Sequence, residues 1–364
     1  MGTITRGIAN NILGSGAVDG TDGLSGTVPA NNIANASLNN ITSLPPSVDA
    51  GIPSVAGNPP SPSDGDVWYN SSTYKLRVRG VAASTGSWAS GGTLNQGRKG
   101  LGLGTLGTQA AAIAISGDAP PGTIYTNVEY YNGSAWTEGA DVNTAVKYGA
   151  ASGSPTSAIK YTGNQDPQTV NAESWNGSSW TEVGNVNNAR SSVSGAGADN
   201  TTAIAMSGYN NPPGSLAYVE TWNGSSWTET TDVNTARWGG GSIGLTNDGL
   251  LVGGYTTTAL GNTETWNGSS WTEVADLNTA GYEGAGAGIT SNGIYYGGSS
   301  RSGKTESWNG TAWTEIADIP VSHSAFGGGG TAISAIAYGG NPAPNNTSSY
   351  EFTGAADNLD VTLS

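Results

Sequence analysis

The chain has 364 residues and a formal net charge of -15, with 58 glycines, 12 tryptophans, 2 phenylalanines, one histidine and no cysteine. Disulfides, thiol catalysis and zinc ribbons are thereby excluded, and His323 alone supplies neither a poly-histidine metal site nor a convincing Ser-His-Asp triad. The acidic balance argues against nucleic acid, which needs clustered Lys and Arg, and no apolar run reaches the roughly 18 residues of a membrane span.

Strong helix formers are scarce and Gly, Ser, Thr and Asn abundant, so short strands and turns are expected throughout. The opening MGTITRGIANNILGSG has no continuous apolar core and does not read as a signal peptide. Residues 1–64 are rich in Gly, Ala, Asn, Ser and Pro, with isolated Ile33, Leu38, Ile41 and Leu44. Such a segment buries too little surface to fold alone. It reads either as a disordered tail or as an extended arm that orders against partner chains.

Residues 65–86 follow as a connector. In GDVWYNSSTYKLRV, Trp68-Tyr69-Asn70 and Leu76-Arg77-Val78 flank a short turn, which predicts a β-hairpin. This stretch resembles the GD-x-WYN-x-x-T-x-K-L module of bacteriophage tail-fibre and virion proteins. The preceding LSGTVPANNIANASL resembles the low-complexity shafts and anchors of those proteins, in a marine-phage-like manner. The resemblance implies that residues 1–64 anchor the chain to other virion proteins, with homo-oligomerisation also compatible.

From residue 87 onward the chain repeats. EYYNGSAWTE at Glu129, ESWNGSSWTE at Glu173, ETWNGSSWTE at Glu220 and Glu264 and ESWNGTAWTE at Glu306 are near copies. Trp136, Trp180, Trp227, Trp271 and Trp313 lie 44, 47, 44 and 42 residues apart, and Trp88 lies 48 before Trp136. This period, with four short strands per unit, predicts a β-propeller. Asn-Gly tolerates the positive φ of tight turns, so each copy is a hairpin that sets Trp175 opposite Trp180, Trp222 opposite Trp227, Trp266 opposite Trp271 and Trp308 opposite Trp313. That turn chemistry accounts for the sequons at Asn132, Asn176, Asn223, Asn267 and Asn309 without glycosylation.

Second strands end in Gly253-Gly254, Gly297-Gly298 and Gly339-Gly340, and Arg98, Arg190 and Arg237 open first strands, replaced elsewhere by Val146, Gly281 and His323. With the aromatic of the third strand and the Trp of the fourth, the pattern resembles the kelch repeat. The resemblance implies a six-bladed propeller over residues 87–354, leaving 355–364 as a C-terminal tail. Trp88 is expected to supply the outermost strand of the last blade, whose inner strands come from 321–354; the alternative donor is NLDVTLS, residues 358–364. The fold class is therefore all-β: a six-bladed kelch-like propeller with an extended N-terminal arm and a short hairpin.

Two site hypotheses follow. The loops from Gly117 and Gly208 share a face with the residues opening the first strands, which gathers Arg98, Arg190, Tyr209, Asn210, Asn211, Arg237 and Trp238 as a ligand surface. Aromatic platforms with amide donors suit sugars. Secondly, either hairpin register sets Glu220 opposite Glu229, and likewise in the other copies. Opposed like charges need compensation, either from a hard cation or from Lys, Arg, Ser or Thr neighbours. No cofactor is indicated. The resulting reading is a non-enzymatic structural and adhesion protein of a phage virion, with the propeller displayed toward host-surface polysaccharide or decorating the particle. A sialidase- or glycosidase-like propeller enzyme and a cellular kelch scaffold are the alternatives.

Overall fold

The computed structural model describes residues 84–301, 303–341 and 346–355, and the backbone of 54–55, 67–70, 75–79 and 358–360. Among the described residues the chain is all-β and contains no helix. It divides into two units, residues 1–81 with 356–364, and residues 82–355.

In the first unit, Val67–Asn70 and Lys75–Arg79 form the expected antiparallel hairpin, with Asn70 opposite Lys75. Ser54–Val55 adds in parallel on one side, and Asn358–Asp360 adds antiparallel on the other. Asn358–Asp360, the described part of NLDVTLS, thus joins the hairpin sheet and does not close the propeller. Apart from Ser54–Val55, the arm expected over residues 1–64 lies outside the described residues.

The second unit holds six four-stranded sheets. Blade I comprises Gly107–Thr108, Ala111–Ile115, Val128–Tyr131 and Trp136–Glu138, from the innermost strand outward. Blades II to V repeat the pattern, beginning at Ala150–Ser154, Ser194–Asp199, Gly241–Leu245 and Ala285–Ile289. Blade VI takes Gly327–Thr331, Ser334–Tyr338 and Ser349–Ala355 from the end of the unit and Ser84–Ser90 from its beginning. Phe352 faces Trp88 across that last pairing. The ring is thus sealed by non-adjacent segments, which leaves no blade incomplete and removes an unpaired sheet edge.

Every blade carries the same outer aromatic pair. Trp175–Trp180, Trp222–Trp227, Trp266–Trp271 and Trp308–Trp313 sit with ring centroids 5.4, 5.6, 5.1 and 5.2 Å apart. Tyr131–Trp136 and Trp88–Phe352 are the equivalents in blades I and VI, at 5.0 and 5.2 Å. In blades I to V the loop between partners is four residues long, and in blade III Asn223 Oδ1 accepts from the Ser225 and Ser226 amides while Gly224 takes φ 91°. The indoles also join blades: Trp180, Trp271, Trp313 and Trp88 donate to the carbonyls of Ala140, Thr231, Ala275 and Ala317 in the unit before. The apolar core lies between blades, as where Ile159 and Tyr161 of blade II pack with Ala203, Ala205 and Trp222 of blade III.

The axis is occupied. Leu103 and Leu106 bridge in parallel to Ala150 and Gly153 of blade II, Gly104 bridges to Gly195 of blade III, and the Leu106 amide donates to Gly328 of blade VI. Only a segment running down the centre reaches three such inner strands. Glycine is required opposite it: a Cβ at Gly195 would lie 3.0 Å from the Leu103 carbonyl oxygen, and one at Gly329 equally close to that of Leu106.

Candidate functional site: the axial mouth

The loop sequence L/V-N-x-x-R that precedes the innermost strand in blades I, III and IV folds onto a glutamate of the third strand. Asn187 donates its amide and its Nδ2 to Glu220 Oε2 at 2.6 and 2.7 Å, and Arg190 Nη1 meets Glu220 Oε1 at 2.5 Å. Arg98–Glu129 is alike at 2.5 Å, and Arg237 pairs with Glu264. In blades II and V, where the arginine is missing, another element supplies the cation. Lys160 of the second strand reaches Glu173 at 2.8 Å in blade II, and Arg301 of a loop reaches Glu306 at 2.9 Å in blade V, lying over Gly281 where a Cβ would collide with it. Burial opposes charge on Glu173, but Lys160 and the donors of Asn143 outweigh it and hold the carboxyl below its usual value.

These pairs decide between the two compensations expected for the opposed glutamates and correct the expectation that the arginines face a ligand. Glu220 does stand opposite Glu229, and so in every copy, but the compensation is a buried guanidinium or ammonium, with Glu220 already saturated by Arg190 and Asn187. No group of three or more potential metal-ligating side chains occurs among the described residues. Arg98, Arg190 and Arg237 are 0–1 % exposed, and they also donate to backbone carbonyls such as those of Ser116, Ser207 and Gly253. They support the loops from beneath and present nothing to a ligand.

Two residues beyond the arginine position, the six blades meet in a closed circle of backbone hydrogen bonds. The amides of Tyr148, Ser192, Gly239, Glu283, Ala325 and Gly100 each donate to the carbonyl of the previous member, at 2.5 to 2.9 Å. All six have φ between 52° and 65°. The non-glycine members hold a conformation that ordinarily costs of order 1 kcal/mol or more, stabilised here by the ring itself. Their side chains surround the mouth of the axis, and Leu101–Leu106 runs down the axis beneath.

One residue before each ring member, a second circle of bridges joins the innermost strand to the loop after the second strand. The pairs are Lys99 with Asp118, Lys147 with Asn164, Ser191 with Tyr209, Trp238 with Tyr255, Tyr282 with Ser299, and Ser324 with Asn341. Identical backbone thus displays unlike side chains. Blades III to V present an aromatic group: Tyr209–Trp238, Trp238–Tyr255, Trp238–Tyr282 and Tyr255–Tyr282 have centroids 6.1, 5.0, 5.2 and 4.8 Å apart. All four are partly exposed. Blades I and II present Lys99, Asp118, Lys147 and Asp166, the last two 3.5 Å apart.

Tyr148 and Glu283 come from opposite blades and face one another electrostatically. Burial raises the Tyr148 hydroxyl pKa, and the charges of Glu283 and Asp118 raise it further. Burial likewise pushes the Glu283 carboxyl up, against Lys99 and the hydroxyls of Ser299 and Ser324. Asp118 is pushed up by burial against Lys99 and Lys147.

Of the residues expected on this face, Tyr209 and Trp238 do meet. Asn210 is half-buried with its Nδ2 donating to the Ala189 carbonyl at 2.9 Å, and Asn211 is exposed at the loop tip. Sequence reasoning missed Tyr255, Tyr282, Tyr148, Asp118 and Glu283. The signal was present: aligning units on the arginine position puts Trp238 and Tyr282 in one slot and Tyr148 and Glu283 in the next. A comparison with protein-family models and with curated proteins finds no match.

Proposed function

We propose that the protein is a non-enzymatic adhesion and structural protein of a phage particle, in which a kelch-type propeller offers the axial mouth to host-surface polysaccharide. One observation carries the binding half: four partly exposed aromatic rings converge beside a polar mouth built on rigid, mutually bonded loops. Aromatic faces stack on the apolar faces of sugar rings, while carboxylate and ammonium groups receive and donate hydroxyl hydrogen bonds. The repeated blade carboxylates are consumed in ion pairs, which favours binding over hydrolysis by any of them. Titration of the full chain with a panel of bacterial surface glycans tests this: Trp238→Ala and Tyr282→Ala should each abolish any binding seen. Unaltered binding in both variants would remove the mouth from the account.

The virion half rests on the resemblance of residues 65–78 and of the low-complexity stretch before them to tail-fibre proteins. Its test is assembly of the full chain compared with a chain lacking residues 1–53. Loss of oligomerisation or of particle binding in the shorter chain supports an anchor; equal behaviour opposes it.

A second reading is a polysaccharide-active enzyme, favoured specifically by the meeting of Asp118, Tyr148 and Glu283. Burial that raises carboxyl pKa values is what a general acid needs. Release of reducing ends from a bound glycan, lost in Asp118→Asn and Glu283→Gln, would favour this reading over display.

A further inference from the structure

The aromatic side of the mouth offers rings but, among the described residues, no free cation. Arg190, Arg237, Arg301 and Lys304 are the cationic side chains of blades III to V, and each already meets a carboxylate. Arg237 directly precedes Trp238, yet it is 0 % exposed and spends its other donors on the carbonyls of Thr235, Gly253 and Asn262. Arg301 is held by Glu306 and the Thr279 carbonyl, and its guanidinium lies 4.8 Å from the centroid of the buried Tyr295 ring. No guanidinium is left there to form a bidentate pair with a carboxylate, sulfate or phosphate on a ligand.

The charge balance of the whole propeller points the same way. Residues 84–355 carry 20 Asp and Glu against 8 Lys and Arg. Five of each are spent in the interior pairs, which leaves 15 carboxylates and three lysines. Of these lysines, Lys147 meets Asp166, Lys304 meets Glu315, and Lys99 is opposed by both Asp118 and Glu283. Glu283 adjoins the rings: its Cγ and the Tyr282 Cβ stand 3.3 and 3.8 Å from the Cβ position of Gly239, next to Trp238. An acidic group held on these rings gives up hydration beside Glu283 and gains no counter-charge. It also lies against ring faces that are themselves negative, whereas the apolar face of a neutral sugar meets neither penalty.

We propose that the mouth selects polysaccharides without acidic groups, and that the interior ion pairs produce this selectivity by consuming the arginines that could read a carboxylate. The inference rests on the reading of the mouth as a glycan site and narrows its ligands to polymers free of uronic acid, sulfate and phosphate. At long range the excess of carboxylates repels an anionic polymer before any contact is made.

Calorimetric titration of the full chain at neutral pH with three matched pairs of oligosaccharides tests it. The pairs are oligomers of glucose and glucuronic acid, mannose and mannuronic acid, and galactose and galacturonic acid, of equal length and linkage. Within a pair only the C6 group changes, from hydroxymethyl to carboxylate. In any pair that binds, the neutral member should bind about tenfold or more tightly at about 10 mM salt, where the Debye length is about 30 Å. The ratio should shrink at about 1 M salt, where only the local desolvation persists. Thr258→Arg places a guanidinium at an exposed position in the loop that follows Tyr255. It should raise uronic-acid affinity about tenfold, the usual scale of one charge-assisted hydrogen bond, and leave the neutral oligomer unchanged. A melting temperature near that of the parent shows that the variant folds. Equal or tighter binding of the acidic member, or a Thr258→Arg chain that still rejects it, overturns charge selectivity while leaving the glycan site standing. No binding of any of the six overturns the glycan site itself.

Discussion

Blade III and blade VI share a backbone but not a method of holding it. In blade III, Arg190 and Glu220 form a fully buried ion pair, and the third and fourth strands are joined by the tight Asn223–Ser226 loop. Blade VI has His323 at the arginine position, with Asn346 Nδ2 bonding to its ring at 3.0 Å, and Glu351 accepts from the Tyr131 hydroxyl of blade I at 2.5 Å. Its outer strands come from opposite ends of the unit and have no connecting loop. Blade III is specified locally, by a cation, a carboxylate and a turn within one repeat. Blade VI depends on partners far away in sequence, so it is where closure is decided and where acid should act.

The largest test of this contrast breaks an ion pair. Arg237→Met strands the buried Glu264 carboxylate and should cost about 3–5 kcal/mol, whereas the double change with Glu264→Gln should recover much of it. His323→Met, at the equivalent position of blade VI, should cost far less. Denaturant unfolding measures all three. A cost for Arg237→Met no larger than that for His323→Met would erase the distinction between the blades.

Next is the closing strand. Trp88 packs on Phe352 and on Tyr296 of blade V, with centroids 5.2 and 5.0 Å away, and its indole reaches Thr305 and Ala317. Trp88→Ala should cost about 2–4 kcal/mol, somewhat under the figure for a fully buried Trp because this one is only partly buried. The same denaturant series reads it.

A pH effect confined to blade VI follows from His323. Burial holds its pKa down at about 4, against 6.5 for an unburied imidazole. The unfolded chain therefore takes up this proton at higher pH than the folded one. Stability is fully present above about pH 6.5, falls as pH drops, and is lost down to about pH 4. The loss is of order 2 kcal/mol after allowance for partial solvent screening. His323→Asn should flatten that part of the stability profile between pH 7 and 4. An unchanged slope would show that His323 already protonates in the folded state.

The smallest effect is at the loops that blade VI lacks. Asn223→Ala removes the acceptor for two amides in an exposed turn and should cost about 1 kcal/mol. A chelator should leave the melting temperature unchanged, because one glutamate of each opposed pair is already held by side-chain donors.

How much of this was legible follows the same division. The repeating Trp and Asn-Gly pattern carried blade number, strand order, the aromatic pairs and the closure at Trp88, because each is set by residues close together or by strict periodicity. What escaped depends on where backbone carries unlike side chains. Val146 and Gly281 read as gaps in a pattern, and only space shows Lys160 and Arg301 filling them. GLGLGTL, residues 100–106, matches no part of the repeat, and its leucines run down the axis because Gly195 and Gly329 leave room. The mouth is a property of six loops together: Tyr148 and Glu283 are far apart in sequence and meet only once the ring shuts.

Ring closure is the claim on which the mouth, the floor beneath it and the aromatic face all stand, and a disulfide tests it directly. Ser87 and Thr353 are direct partners in the sealing pair, both are exposed, and the chain has no cysteine to compete. The account predicts that Ser87→Cys with Thr353→Cys oxidises to a single intramolecular bond and raises the melting temperature, since the bond closes a very long loop. Failure of the two thiols to join within one chain, or a disulfide that lowers the melting temperature, would contradict it.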